Sequence, residues 1–214
     1  MSHPTLTGLA PDPRHPGYRL VEVDRGRFAS IPAESLEPLR LAVGREITPA
    51  VLARLRALAD IEAAQRAALR ALSRRPLARF DLRRRLVNKQ HPPAAADAVL
   101  ERLEARGLID DPRFAKEYAA VRAARGRGPS RLIQDLLARG VDRRVAEEAV
   151  GRALAEEGID PGIEARAVAG KRARQLANLP AALRKRRLLA YLTRRGYGGA
   201  GAKQLVEEVC DALR

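Results

Sequence analysis

Apolar residues recur along this chain at helical spacing, and the spacing itself repeats. Leu82, Leu86, Gln90 and Leu100 are separated by 4, 4 and 10 positions. So are Leu132, Leu136, Gly140 and Val150, and again Leu188, Leu192, Gly196 and Val206, at offsets of 50 and then 56 residues. Two apolar positions one turn apart share one face of a helix. The third position falls where that helix should stop. Glycine, present there in two copies of three, suits the left-handed residue that closes a helix. The fourth lies inside a second helix. Another helix precedes each pair. In the second copy Asp111 can cap it, Pro112 fits its first turn, and Phe114, Tyr118 and Val121 form an apolar stripe. Ala64, Ala68 and Ala71 stand 50 residues earlier, and Asp160-Pro161 repeats the cap in the third copy, where the stripe aligns poorly. The pattern predicts nine helices in three bundles of three.

Ahead of the repeats, YRLVEV (18–23) alternates apolar and polar positions, Asp24-Arg25-Gly26 can turn, and RFASI (27–31) resumes. This reads as a short β-hairpin. Pro32 and Pro38 interrupt the next stretch. Thr48-Pro49 then opens a helix carrying Val51, Leu52, Leu55, Leu58 and Ile61. Residues 1–17, with their Pro, Gly and His content, read as a mobile leader. The expected segments are the leader at 1–17, hairpin plus helix at 18–59, and three-helix repeats at 60–108, 109–158 and 159–214.

Composition agrees with a mainly α protein. Of 214 residues 46% are hydrophobic but only 3% aromatic, so the core must be aliphatic. Ala, Leu, Arg and Glu are strong helix formers. The formal charge of +15 is unevenly placed: residues 1–60 hold 8 Arg against 7 acidic residues, and the remainder holds 33 basic against 19 acidic. A field of that sign favours polyanions. Codon usage in a GC-rich genome accounts for Arg over Lys, but not for basic over acidic. The single cysteine, Cys210, allows no intramolecular disulfide and suits a reducing cytosol. No stretch is apolar enough to span a membrane, and the N-terminus has no signal-peptide pattern, so a cytoplasmic location is expected.

Catalytic chemistry is hard to place. His3, His15 and His91 have no ligand-spaced partners, so no zinc site is expected. Cys210 reads as a small core residue, and Asp110-Asp111 as caps. GYGGAGAK (196–203) has the glycine spacing of a phosphate loop. However, Ala202 intervenes before Lys203, Gln204 replaces the magnesium-binding hydroxyl, and a basic helix stands where a strand is needed. A turn between helices is the better reading, and no cofactor is expected.

The stronger signal is basic. Arg74, Arg75, Arg79, Arg83, Arg84, Arg85 and Lys89 form one cluster. Arg122, Arg125, Arg127 and Arg131 form a second, and Arg184, Lys185, Arg186, Arg187, Arg194 and Arg195 a third. Each surrounds the second helix of its repeat and the loop leading into it, so the three are expected to form one stripe. Any single cluster is more often a solvated helix face. A helix-turn-helix DNA reader is the alternative, but Asn and Gln are scarce beside the arginines. With only Tyr18, Tyr118, Tyr191, Tyr197 and three Phe, base-stacking platforms are scarce too. Contact with nucleic-acid backbone, or with an acidic protein surface, is favoured over sequence reading.

ALSRRPLARFDLRRRL (71–86), LERLEARGLIDDPRFAKEYAAVR (100–122) and RGRGPSRLIQDLLARGV (125–141) strongly resemble the RecX family, regulators of the RecA recombinase. The resemblance covers roughly residues 60–160 and is weaker on either side. It departs at Ala78, near a place where Ser or Thr is common, and at the glycine-rich segment 196–201. It implies tandem three-helix repeats, elongated and curved. It also implies a monomer that lies in the groove of RecA–DNA filaments, touching single- and double-stranded DNA without sequence preference. There such a protein inhibits ATP hydrolysis, strand exchange and filament growth, within DNA repair, recombination and the SOS response, and performs no covalent chemistry. The arginine stripe would face DNA phosphates or acidic RecA surface.

Overall fold

The computed structural model describes residues 3–212. Three strands open the chain: β1 (Leu6–Pro11), β2 (Tyr18–Val23) and β3 (Gly26–Pro32), antiparallel in that order. The expected hairpin is β2–β3. Val23 pairs with Gly26, and both loop residues, Asp24 and Arg25, have positive φ, as a two-residue turn of type I′ requires. The mobile leader is corrected. Its residues 6–11 form β1 and pair with β2, with Leu6 opposite Val23; its first two residues lie outside the described ones. One apolar anchor suffices here, because Leu6 packs into a core with Val21, Ile31, Leu36 and Ile47. Asp12 holds the β1–β2 connection, accepting hydrogen bonds from Ser30 Oγ at 2.6 Å and the Arg14 amide at 2.9 Å. The Ser30 bond, first among its partners, holds the Asp12 carboxyl below the usual range. A single helical turn, α1 (Ala33–Leu36), and a 3₁₀ turn (Glu37–Leu39) follow.

Nine helices come next among the described residues. They are α2 (Pro49–Leu72), α3 (Arg79–Asn88), α4 (Pro93–Ala105), α5 (Asp111–Ala123), α6 (Pro129–Leu137), α7 (Arg143–Glu156), α8 (Pro161–Gln175), α9 (Ala181–Arg195) and α10 (Ala200–Asp211). The repeat positions behave alike. Leu82, Leu86, Leu100, Leu132, Leu136, Val150, Leu188, Leu192 and Val206 are all buried. Gln90, Gly140 and Gly196 all have positive φ. The next amide in each copy, of His91, Val141 or Tyr197, donates to the carbonyl of Leu86, Leu136 or Leu192. That six-to-one bond is the Schellman closure. Gln90 therefore does without a glycine what Gly140 and Gly196 do.

The caps fall largely as expected. Thr48 accepts from the Val51 amide and Asp160 from those of Gly162 and Ile163. Asp110, not Asp111, caps α5, accepting from the Arg113 amide at 2.9 Å. Asp111 is the first residue of α5, and its carboxylate accepts the Arg79 amide at 2.8 Å, at the start of α3. This explains the departure at Ala78: the acceptor that a Ser or Thr would supply locally comes from Asp111 instead.

The stripe of α5 is also corrected. Its core face is Ala115, Ala119 and Ala123. Phe114 and Tyr118 flank that core, and Val121 is 55% exposed. In α8, Ala165, Ala169 and Ala173 repeat this face 50 residues on. Alanine lets helices approach closely, so the smallest side chains, and not the largest, mark the inward side. Ala64, Ala68 and Ala71 of α2 are buried as expected.

The chain divides into two compact units. One holds the described residues up to Pro76 together with Leu82–Ile109; the other holds Leu77–Asp81 and everything described from Asp110 on. In the first, α2 is continuous across the expected boundary at 59/60: Leu55 and Leu58 join the sheet core, while the buried Glu62 meets Arg102 of α4 at 3.2 Å. In the second, α5–α7 and α8–α10 each enclose a core.

Candidate polyanion-binding cleft

The second unit contains a cleft of about 530 Å³ lined by Arg122, Arg125, Arg127, Arg131, Arg194 and Arg195. Local sequence makes its first wall. Gly126, with φ of +70°, ends α5, and the Arg127 amide closes the Schellman bond to the Arg122 carbonyl. Pro129 then starts α6, which throws Arg131 back toward the same hollow. The second wall is the last turn of α9. Four of the six guanidiniums, those of Arg122, Arg127, Arg131 and Arg195, are held by a carboxylate, an aromatic ring or a backbone carbonyl. Arg127 and Arg131 both bind the Asp135 carboxylate, Arg131 at 3.0 Å, and Tyr118 donates to the same group at 3.2 Å. Arg122 lies 4.3 Å from the Tyr118 ring centroid and Arg139 4.7 Å. Arg172 and Arg195 each lie 5.3 Å from that of Tyr191. Burial pushes the Tyr118 phenol up, against the pull of Arg139. Asp135 sits behind the lining, and Glu164 approaches the Gly126 end, its Oε2 3.9 Å from where a Cβ would stand. The inner surface itself is guanidinium, a pattern that accepts phosphate or carboxylate by paired, charge-assisted hydrogen bonds.

The three sequence clusters fare differently. All of the second lines the cleft, and Arg194 and Arg195 join it from the third. Arg186 and Arg187 are exposed elsewhere on α9. Arg184 and Lys185 leave the expected stripe. Arg184 is only 7% exposed, and its Nη atoms donate to the carbonyls of Ala177 at 3.4 Å and Cys210 at 3.2 Å. Lys185 binds Glu207 and Asp211 of α10. Arg184 points inward and Lys185 lies along α10 at the surface, because α10 packs on that side of α9. In the first cluster, Arg74 and Arg75 are exposed in the turn after α2, and Arg79, Arg83, Arg84 and Arg85 lie on α3. Arg83 is engaged by Asp97 through two bonds of 2.6 and 2.9 Å. None of these lines the cleft.

Sequence reasoning missed Asp135, Tyr118, Tyr191, Arg139 and Arg172 as members of this site. A signal existed: Tyr118/Arg122, Arg131/Asp135 and Tyr191/Arg195 are all spaced i, i+4. The glycine segment 196–203 is a turn between helices, as expected. Gly196 closes α9, Tyr197 is buried, α10 begins at Ala200, and a helix precedes the segment. Cys210 is a buried core residue. Among the described residues no group of His, Cys, Asp or Glu is placed to hold a metal, and no helix is long and apolar enough to cross a membrane.

Comparison with known proteins places this architecture. Residues 64–103 match the first three-helix domain of RecX and residues 110–150 the second. A regulatory protein RecX of Halorhodospira halophila is 38% identical over 137 residues, covering 64% of this chain and 81% of the relative. One of Thermobifida fusca is 36% identical over 181 residues, covering 82% and 92%. A crystal structure of a regulatory protein RecX superposes with a TM-score of 0.73 at 20% identity, over 97% of this chain and 99% of the other. RecX from Lactobacillus salivarius superposes with 0.58 at 19% identity, over 70% and 96%. With two three-helix domains matched and more than a third of aligned residues in common with relatives of which it spans 81% and 92%, the chain belongs to the RecX family.

Proposed function

We infer that the protein regulates the RecA recombinase by seating itself in the groove of the RecA–DNA filament and restraining ATP hydrolysis, strand exchange and filament growth. The observation that carries this reading is the cleft, where six guanidiniums from two helix sets face one hollow. The resemblance to RecX supplies the recombinase as partner. The protein acts by occupancy, as a monomer in the cytoplasm and without covalent chemistry, within DNA repair and the SOS response. Its contacts with single- or double-stranded DNA are made to phosphates, because the cleft has no Asn or Gln in its lining to read a base edge. The test is hydrolysis of ATP by RecA on single-stranded DNA. Amounts of this protein comparable to RecA should suppress it. Undiminished hydrolysis would refute the reading, and a strong preference for one duplex sequence at fixed salt would favour the transcription-factor alternative.

A further inference from the structure

Two glycines far apart in sequence, Gly128 and Gly196, bring the walls of the cleft together. A Cβ on Gly128 would stand 2.6 Å from the carbonyl carbon and oxygen of Gly196. One on Gly196 would stand 2.8 Å from the Gly128 oxygen and against the Arg131 amide. The Gly128 amide donates to the Arg195 carbonyl at 2.7 Å. In return, Arg195 Nη1 donates to the carbonyls of Arg125 and Gly126 at 3.3 and 3.1 Å. Backbone thus meets backbone between the second and third helix sets. This contact brings Arg194 and Arg195 beside Arg122 and Arg125. The two glycines differ in what they require. Gly196, at φ of +92°, also closes α9. Gly128 has φ −72° and ψ 157°, a conformation open to any residue. Its own backbone does not call for glycine; its neighbour does.

The walls also select a ligand. Guanidiniums set this close repel one another until an equally dense row of anions arrives. One polynucleotide strand supplies such a row, fully ionised and evenly spaced. Carboxylates at that density on a folded protein would repel each other in turn. Tyr118 and Tyr191 already have two guanidiniums each against their rings, so the cleft offers contact with the backbone and not base stacking.

We propose that the cleft is one composite site for consecutive phosphates of a nucleic-acid strand, existing only while the second and third helix sets are joined at Gly128 and Gly196, with Gly128 the positioning residue. This rests on the filament-binding reading above, takes its phosphate ligand from it and adds an assembly condition. The experiment is anisotropy of a labelled thymidine oligonucleotide with the full chain across a salt series. Gly128→Ala should weaken binding by about tenfold or more, since each charge-assisted contact is worth roughly that factor. It should also flatten the plot of log affinity against log salt by about 1.4, two phosphates at roughly 0.7 each. Gly158→Ala is the control: its φ is +61° but a Cβ there meets nothing, so affinity and slope should hold. Wild-type affinity and slope in Gly128→Ala would overturn the proposal. Should Gly128→Ala lose helicity, the paired variants Arg122→Gln/Arg125→Gln and Arg194→Gln/Arg195→Gln decide: each should lower the slope by about 1.4, and an unchanged slope in either overturns it equally. An oligonucleotide that does not bind, with RecA still inhibited, would overturn the phosphate assignment, give the cleft to an acidic protein surface and leave the regulator reading standing. Loss of both effects would remove the regulator reading as well.

Discussion

The loop that enters α6 is rich in arginine and the start of α9 in arginine and lysine, yet the structure uses them in opposite ways. At Arg122–Arg131 the guanidiniums turn toward an open hollow and are steadied by one carboxylate and one ring. At Arg184 and Lys185 the cations are taken up by neighbouring elements of the protein itself. Arg184 stitches α9 to the ends of α8 and α10 through two carbonyls, and Lys185 is matched by two carboxylates. The difference comes from what packs opposite. Helix ends offer unpaired carbonyls that welcome a cation. Those near Arg184 take it up. In the loop entering α6 the Arg125 and Gly126 carbonyls engage Arg195, while the lining guanidiniums still face the hollow. Sequence density of positive charge therefore marks where a binding surface is permitted, and the neighbouring helix end decides whether it is consumed.

Substitutions can break this contrast at graded strength. The largest effect is expected from Leu136→Ala, which removes a fully buried side chain beneath α6 and should cost about 2–5 kcal/mol in denaturant unfolding. Arg184→Ala should cost about 1–3 kcal/mol, because it leaves two carbonyls without their donor, while oligonucleotide affinity stays near wild type. If Arg184→Ala instead weakens binding and spares stability, the inward role is wrong. Asp111→Ala should cost about 0.5–2 kcal/mol by uncapping α3, and Ala78→Ser on that background should recover part of it by offering a local cap. No recovery would mean that the acceptor cannot be replaced from within the chain's own turn. The smallest stability effect belongs to Arg186→Gln/Arg187→Gln, both exposed and away from the cleft, which should leave the melting temperature within experimental scatter.

Much of the fold could be read directly. The 4, 4, 10 spacing marks positions whose burial and turn geometry are the same in three copies, because helix periodicity and left-handed closure are local rules. Where tertiary contact decides, the sequence was silent or misleading. β1 has one deeply buried residue, Leu6, and needs β2 to exist. The α5 stripe was sought among large side chains when close packing had selected alanine. Asp111 caps a helix 32 residues away. For the site, the arginines were visible as clusters, but their grouping was not. Arg194 and Arg195 join Arg122–Arg131 through the meeting of Gly128 and Gly196, which no local pattern announces. Asp135 and the two tyrosines were legible in principle as i, i+4 partners of arginines.

The central claim is that the cleft, and not net charge, engages the filament. It is tested most directly by RecA ATP hydrolysis on single-stranded DNA in the presence of two charge-matched variants, Arg122→Gln/Arg194→Gln from the cleft and Arg186→Gln/Arg187→Gln from the outer face of α9. Both remove two positive charges. The cleft variant should lose most of its inhibition and the outer variant should keep it. Equal loss in both, or full inhibition by the cleft variant, would contradict it.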